Sequence, residues 1–94
     1  MDDFNLIFEW DAAKAKANFA KHDVTFEEAA TVFRDRHALF QSDPDHSTDT
    51  EERWIMLGIS ENYRLLVVIH VDVDEDSIRL IRARRANPKE SQQY

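Results

Sequence analysis

"ERWIMLGISENYRLLVVIHVDVDEDSIRLIRARR", residues 52–85, is the stretch on which the fold turns. Apolar-rich runs at 52–60, 63–71 and 77–86 are separated by "ENY" and "DVDED", both polar and turn-like. Runs of this length between turn signals read as consecutive β-strands joined by hairpins. The middle run is apolar on both parities, with Leu65, Val67 and Ile69 against Leu66 and Val68, as in a central strand covered on both sides. The last run alternates, then gathers Arg79, Arg82, Arg84 and Arg85 within seven residues.

Outward from this core, "NLIFEW" at 5–10 reads as an opening strand, and Asp11 can cap a helix through "AAKAKANFAKH". Its apolar stripe is narrow: Ala12, Ala15, Phe19 and Ala20. Thr25 and Glu28 form a capping box for a second helix, whose Phe26, Ala29, Ala30 and Phe33 recur at helical spacing. "HALFQ" at 37–41 is a short strand. Asn87, Pro88 and Glu90 supply cap, first-turn proline and capping-box acid for a short C-terminal helix. The order β-α-α-β-β-β-β-α describes one α+β domain over residues 1–94: a small antiparallel β-sheet with two N-terminal helices packed on it.

The composition is that of a soluble globular chain, 43% hydrophobic and 33% charged, with no apolar run long enough to cross a membrane. The acidic N-terminus lacks the basic region of a secretory signal, and cysteine is absent, which fits a reducing, cytoplasmic setting. A net charge of -7 opposes nonspecific nucleic-acid binding, yet from Arg79 to Lys89 there are five basic residues and no acid. "DVDED" begins like an EF-hand loop, but Ser77 and Ala83 stand where glycine and glutamate are required, so no metal site is expected. Gly58 is the single glycine, which excludes a P-loop and a dinucleotide fingerprint.

Simple alternation sends Ile78, Leu80, Arg82 and Arg84 one way and Arg79, Ile81, Ala83 and Arg85 the other. These guanidinium groups suit phosphate, whose oxygens match their fork of donors, or else pair with the acidic loops as surface salt bridges. His22 ends the first helix, where the helix dipole favours a cation, and His70 sits on the central strand with the parity of Leu66 and Val68. His37 and His46 read as surface residues.

Together, "FEWD", "K-x3-N-x2-KH-x-V-x-FEEA", the acidic loop into "EER", "RLLVVIHV" and "ARRA" with the trailing glutamate and tyrosine resemble the BrnT family, the toxin half of BrnT–BrnA type II toxin–antitoxin pairs. Two positions depart from the family's pattern: Asp23 replaces a glycine, and Arg82 a small residue before "AR". The resemblance implies a RelE-like fold and cofactor-free, metal-independent cleavage of RNA that inhibits translation. It implies a small BrnA-like antitoxin whose ribbon-helix-helix domain carries the complex to operator DNA. A heterotetramer with that antitoxin is the implied assembly, with a homodimer of the free chain as an option.

The chemistry such cleavage needs, read with that resemblance, assigns roles. Arg84 is the first charge stabiliser, with Arg53, Arg79 and Arg85 beside it. His22 and His70 are the proton carriers, Lys21 and Arg82 touch phosphate, and Tyr94 stacks on a base. The competing reading is a toxin-like domain without catalysis that holds an antitoxin in an operon-repressing complex.

Overall fold

The computed structural model describes residues 5–48 and 51–94. β1 (Ile7–Glu9) leads into α1 (Ala12–His22) and α2 (Phe26–Thr31), which runs on as a 3-10 turn, Val32–Arg34. β2 (Leu39–Ser42), β3 (Arg53–Ile59), β4 (Leu65–Asp72), β5 (Ser77–Arg85) and α3 (Pro88–Ser91) complete the order expected from the sequence. The sheet is ordered β1-β5-β4-β3-β2, so β4 is central. β2 through β5 are antiparallel neighbours, while β1 returns to the far edge and joins β5 in parallel, Ile7 opposite Ser77.

Local chemistry explains the helix starts. The Asp11 side chain accepts from the Lys14 amide, and the Thr25 side chain from the Glu28 amide, each satisfying a first-turn donor. Asn87 and Glu90 form the complete reciprocal box that was expected. At Thr25 only half of the box forms, because the Glu28 carboxylate turns inward to Ser60 and Arg64 instead. α1 stops at Asp23, whose φ of 58° is the left-handed cap that aspartate tolerates.

One core lies between α2 with its 3-10 extension and the sheet: Val24, Phe26, Val32, Met56, Leu66, Val68 and Leu80 are fully buried. Each side chain of this kind contributes roughly 1.5–3 kcal/mol through the water-exposed area it removes. Phe8 meets Phe33 edge-on at 5.0 Å and Trp10 meets Phe26 at 5.8 Å, anchoring the strand–helix entry to the core.

The stripe expected on α1 is displaced. Phe19 is half exposed, and the helix turns Ala15, Asn18 and His22 inward, with Asn18 its one buried residue. The cause is the place α1 occupies: its main sheet neighbour is β5, beyond the point where three-residue β1 ends. There the edge of β5 offers hydrogen-bonding groups, and an amide side chain serves better than an apolar one. Asn18 Oδ1 accepts from the Ala83 amide at 3.1 Å and Nδ2 donates to the Ala83 carbonyl at 2.9 Å. Nδ2 also donates to Val24 O at 3.0 Å, so one side chain joins α1, α2's approach and β5.

Candidate functional site

β5 contains one residue more than its partner. Ile69 stands opposite Arg82 while His70 stands opposite Leu80, which leaves Ile81 as a β-bulge. The alternation resets there, overturning the parity inferred from sequence. Ile78, Leu80 and Ala83 all enter the core, whereas Arg79, Arg82 and Arg84 lie opposite Val71, Ile69 and Val67 on the other face. Strict alternation would have driven Arg82 and Arg84 into the helix layer, where two buried guanidinium groups without partners would be prohibitive.

The bulge also opens a groove against α1. A cavity of about 300 Å³ is lined by Lys14, Ala17, Asn18, Lys21, His22, Ile81 and Arg82. Its charged side chains are all basic and no carboxylate lines it. Lys14, Asn18, Lys21 and His22 share one helix face by their i, i+4, i+7, i+8 spacing, and the Asn18–Ala83 clasp fixes that face against β5. The His22 imidazole is partly buried. Its pKa is lowered, first by desolvation and then by Lys21, Arg82 and Arg84, so the neutral, proton-accepting form is favoured at neutral pH.

Of the residues singled out from sequence, the structure brings Lys21, His22 and Arg82 together here, and Arg84 is near enough to act on the histidine's charge. Arg84 itself is held by Glu90 through paired hydrogen bonds, Nη1 to Oε1 at 2.9 Å and Nη2 to Oε2 at 2.8 Å. This fork holds the Glu90 carboxyl down at about 2. Arg79 donates to Glu9 at 3.0 Å and Glu51 at 3.1 Å, and Arg85 lies 3.7 Å from Asp23. The salt-bridge reading therefore describes those three arginines. Arg82 has no ion pair among the described residues.

Other residues lie elsewhere. Arg53 opens β3 on the same face as Arg79, with its Nε buried and unpaired among the described residues. His70 is 3% exposed beneath Phe33, whose ring lies 4.9 Å away, and burial pushes its pKa down to about 4. Tyr94 donates its hydroxyl to Asp35 Oδ2, well outside the groove. Sequence reasoning quoted Lys14 and Asn18 in the motif "K-x3-N-x2-KH" but gave neither a site role, although their spacing from Lys21 and His22 was the available signal. Nor did it give one to Arg64, which joins buried Glu28 to the end of α1 by donating to Glu28 and to Asp23 O. Among the described residues no cluster of three or more His, Asp and Glu side chains could hold a metal ion.

The arrangement can grip a phosphodiester: two ammonium groups and an unengaged guanidinium surround an imidazole able to take a proton. A family model described as the ribonuclease toxin, BrnT, of type II toxin–antitoxin systems matches residues 10–90. The fold is similar to the crystal structure of the Brucella abortus ribonuclease toxin BrnT, with a TM-score of 0.63 and 20% identity over 88% of this chain and 99% of that one. At such identity the likeness is one of fold. No curated protein sequence matches this chain.

Proposed function

Since the chain belongs to the BrnT family of ribonuclease toxins of type II toxin–antitoxin systems, we propose that it cleaves RNA in the α1–β5 groove, as a metal-independent endoribonuclease that inhibits translation. The observation that supports this reading is the groove's donor set: Lys14, Lys21, Arg82 and His22 around one cavity. Such a set attracts a phosphate and repels a divalent cation.

The 2′-hydroxyl of the RNA is the nucleophile. His22, in its neutral form, takes the hydroxyl proton as oxygen attacks the adjacent phosphorus. Arg82, Lys21 and Lys14 stabilise the charge that builds on the nonbridging oxygens. The P–O5′ bond breaks, the 5′ oxygen takes a proton from water whose hydroxide is neutralised by the proton held on His22, and a 2′,3′-cyclic phosphate and a 5′-hydroxyl remain. Positioning the bound phosphate beside His22 supplies much of the acceleration, because the nucleophile belongs to the same strand.

In this proposal the toxin acts in the cytoplasm and is neutralised by a small ribbon-helix-helix antitoxin, with operator DNA contacted only through that partner in a heterotetramer. A second reading rests on Arg79, Arg84 and Arg85, each within 4 Å of a carboxylate of its own chain. In that reading these three arginines are committed to the chain's own carboxylates, and the domain serves chiefly to hold the antitoxin. Cleavage of free RNA in EDTA by wild type, Arg82→Ala and His22→Ala separates the two. Cleavage that survives chelation and falls roughly a hundredfold in each variant supports the ribonuclease. An inactive wild type, with binding of antitoxin retained, supports the holder.

A further inference from the structure

β2 ends the sheet, and no strand pairs with its outer side among the described residues. Asp43 donates its amide inward to Arg53 O at 2.8 Å, so by antiparallel alternation Gln41 and Leu39 also bond inward. Phe40 and Ser42 then direct their N–H and C=O groups outward. Natural sheets guard such an edge by shortness, lysine or proline. β2 is short and followed by Pro44, yet it displays Leu39 at 44% exposure and Phe40 at 56% on opposite faces.

Each face opens into an apolar hollow, with Phe40 on the lip of both. On one side a cavity of about 480 Å³ is walled by Phe33, Trp54 and Ile78, with Asp35, Asp72 and His70 among its polar groups. His70 Nδ1 is buried there without a hydrogen-bond partner among the described residues. On the other side a cavity of about 360 Å³ lies over Ile55, Leu57 and Val67. Successive residues of an added strand point to opposite faces, so one extended segment would fill both hollows.

Charge selects the occupant. Asp35 and Asp72 line the first hollow and Glu52 accepts from Ser42, none of them with an arginine or lysine partner among the described residues, against Arg53 at the start of the neighbouring β3. A second copy of this acidic chain, net charge -7, would set carboxylate against carboxylate across the edge. We propose that the outer edge of β2 docks an extended, net-positive segment of the antitoxin as a sixth strand, with alternating apolar side chains entering the two hollows. This rests on the reading of the chain as a toxin with a protein antitoxin.

The test is amide exchange by NMR on the full chain, alone and bound to the ribbon-helix-helix antitoxin of the proposed function, with RNA cleavage by the free chain assayed in parallel. The Phe40 and Ser42 amides should become protected only in the complex. Phe40→Asp and Ser42→Pro, the latter removing an outward N–H, should weaken binding roughly tenfold or more, while Arg82→Ala stays within about threefold. Unprotected Phe40 and Ser42 amides in the complex, or amides already protected in the concentrated free chain, overturn the inference, as does failure to bind. Cleavage with docking elsewhere removes only the β2 assignment. Docking at β2 without cleavage removes only the ribonuclease.

Discussion

The Asn18 side-chain amide occupies the place of a neighbouring strand for Ala83, meeting both its N–H and its C=O. The two residues are 65 positions apart in sequence, and both are buried. Replacement by alanine would strand two buried backbone groups of β5 and the carbonyl of Val24. Asn18→Ala should therefore lower the unfolding free energy by about 2–3 kcal/mol, read by urea denaturation. The size-matched Asn18→Asp should lose at least as much, because it removes the donor to both carbonyls.

Glu28 is a second buried polar anchor, accepting from Ser60 Oγ at 2.7 Å and from Arg64 Nε at 2.9 Å. The Arg64 hydrogen bonds hold its carboxyl below the usual glutamate range despite burial. A depressed carboxylate stabilises the fold above its unfolded pKa, and that contribution disappears as pH falls through the folded value, below 4.5. Arg64→Ala should cost roughly 3 kcal/mol by leaving a buried charge unpaired. The variant should also lose the part of acid unfolding due to this pair, a flatter pH dependence below 4.5 by calorimetry.

His70 works in a different window. It is neutral when folded, and its pKa moves from 6.5 when unfolded to about 4 in the core. As pH falls between those values the unfolded chain takes a proton that the folded chain refuses, so stability declines by up to roughly 3 kcal/mol. Thermal melts across that range should show the decline in wild type and much less of it in His70→Leu.

For catalysis the expectation divides Arg82 from Arg84. Arg82→Ala removes an unengaged cation from the groove and should reduce kcat/KM roughly a hundredfold. Arg84→Ala should reduce it less and instead loosen α3, since Arg84 is committed to Glu90. The pH–rate profile adds a check on His22. A base must be neutral to act, so its acid limb should fall below the ordinary histidine value of 6.5, and His22→Ala should abolish that limb.

Much of the fold was legible because its signals are local. The caps Asp11, Thr25 and Asn87, the turn at "ENY" and the double-sided apolarity of β4 each act within a few residues. The parallel pairing of β1 with β5 has no such signal, because strands distant in sequence choose each other through the layer packed upon them. The groove was half legible. Lys21, His22 and Arg82 were recognised by residue type, but Lys14 and Asn18, though part of the quoted motif, were given no role because the inward face of α1 was centred on Phe19 rather than on Asn18. A polar residue at a sheet edge buries as well as a leucine when backbone groups await it.

The extra residue at Ile81 gives β5 two different grammars. Up to Leu80, the even-numbered positions Ile78 and Leu80 belong to the interior; beyond it, odd-numbered Ala83 does. In a saturation library, tolerance of charged residues should alternate along the strand and then slip by one step at Ile81. Deleting that residue would leave a plainly alternating strand that still turns Ala83 inward and Arg82 and Arg84 outward. A single-codon deletion there should therefore spare the packing and cost the groove that Ile81 lines.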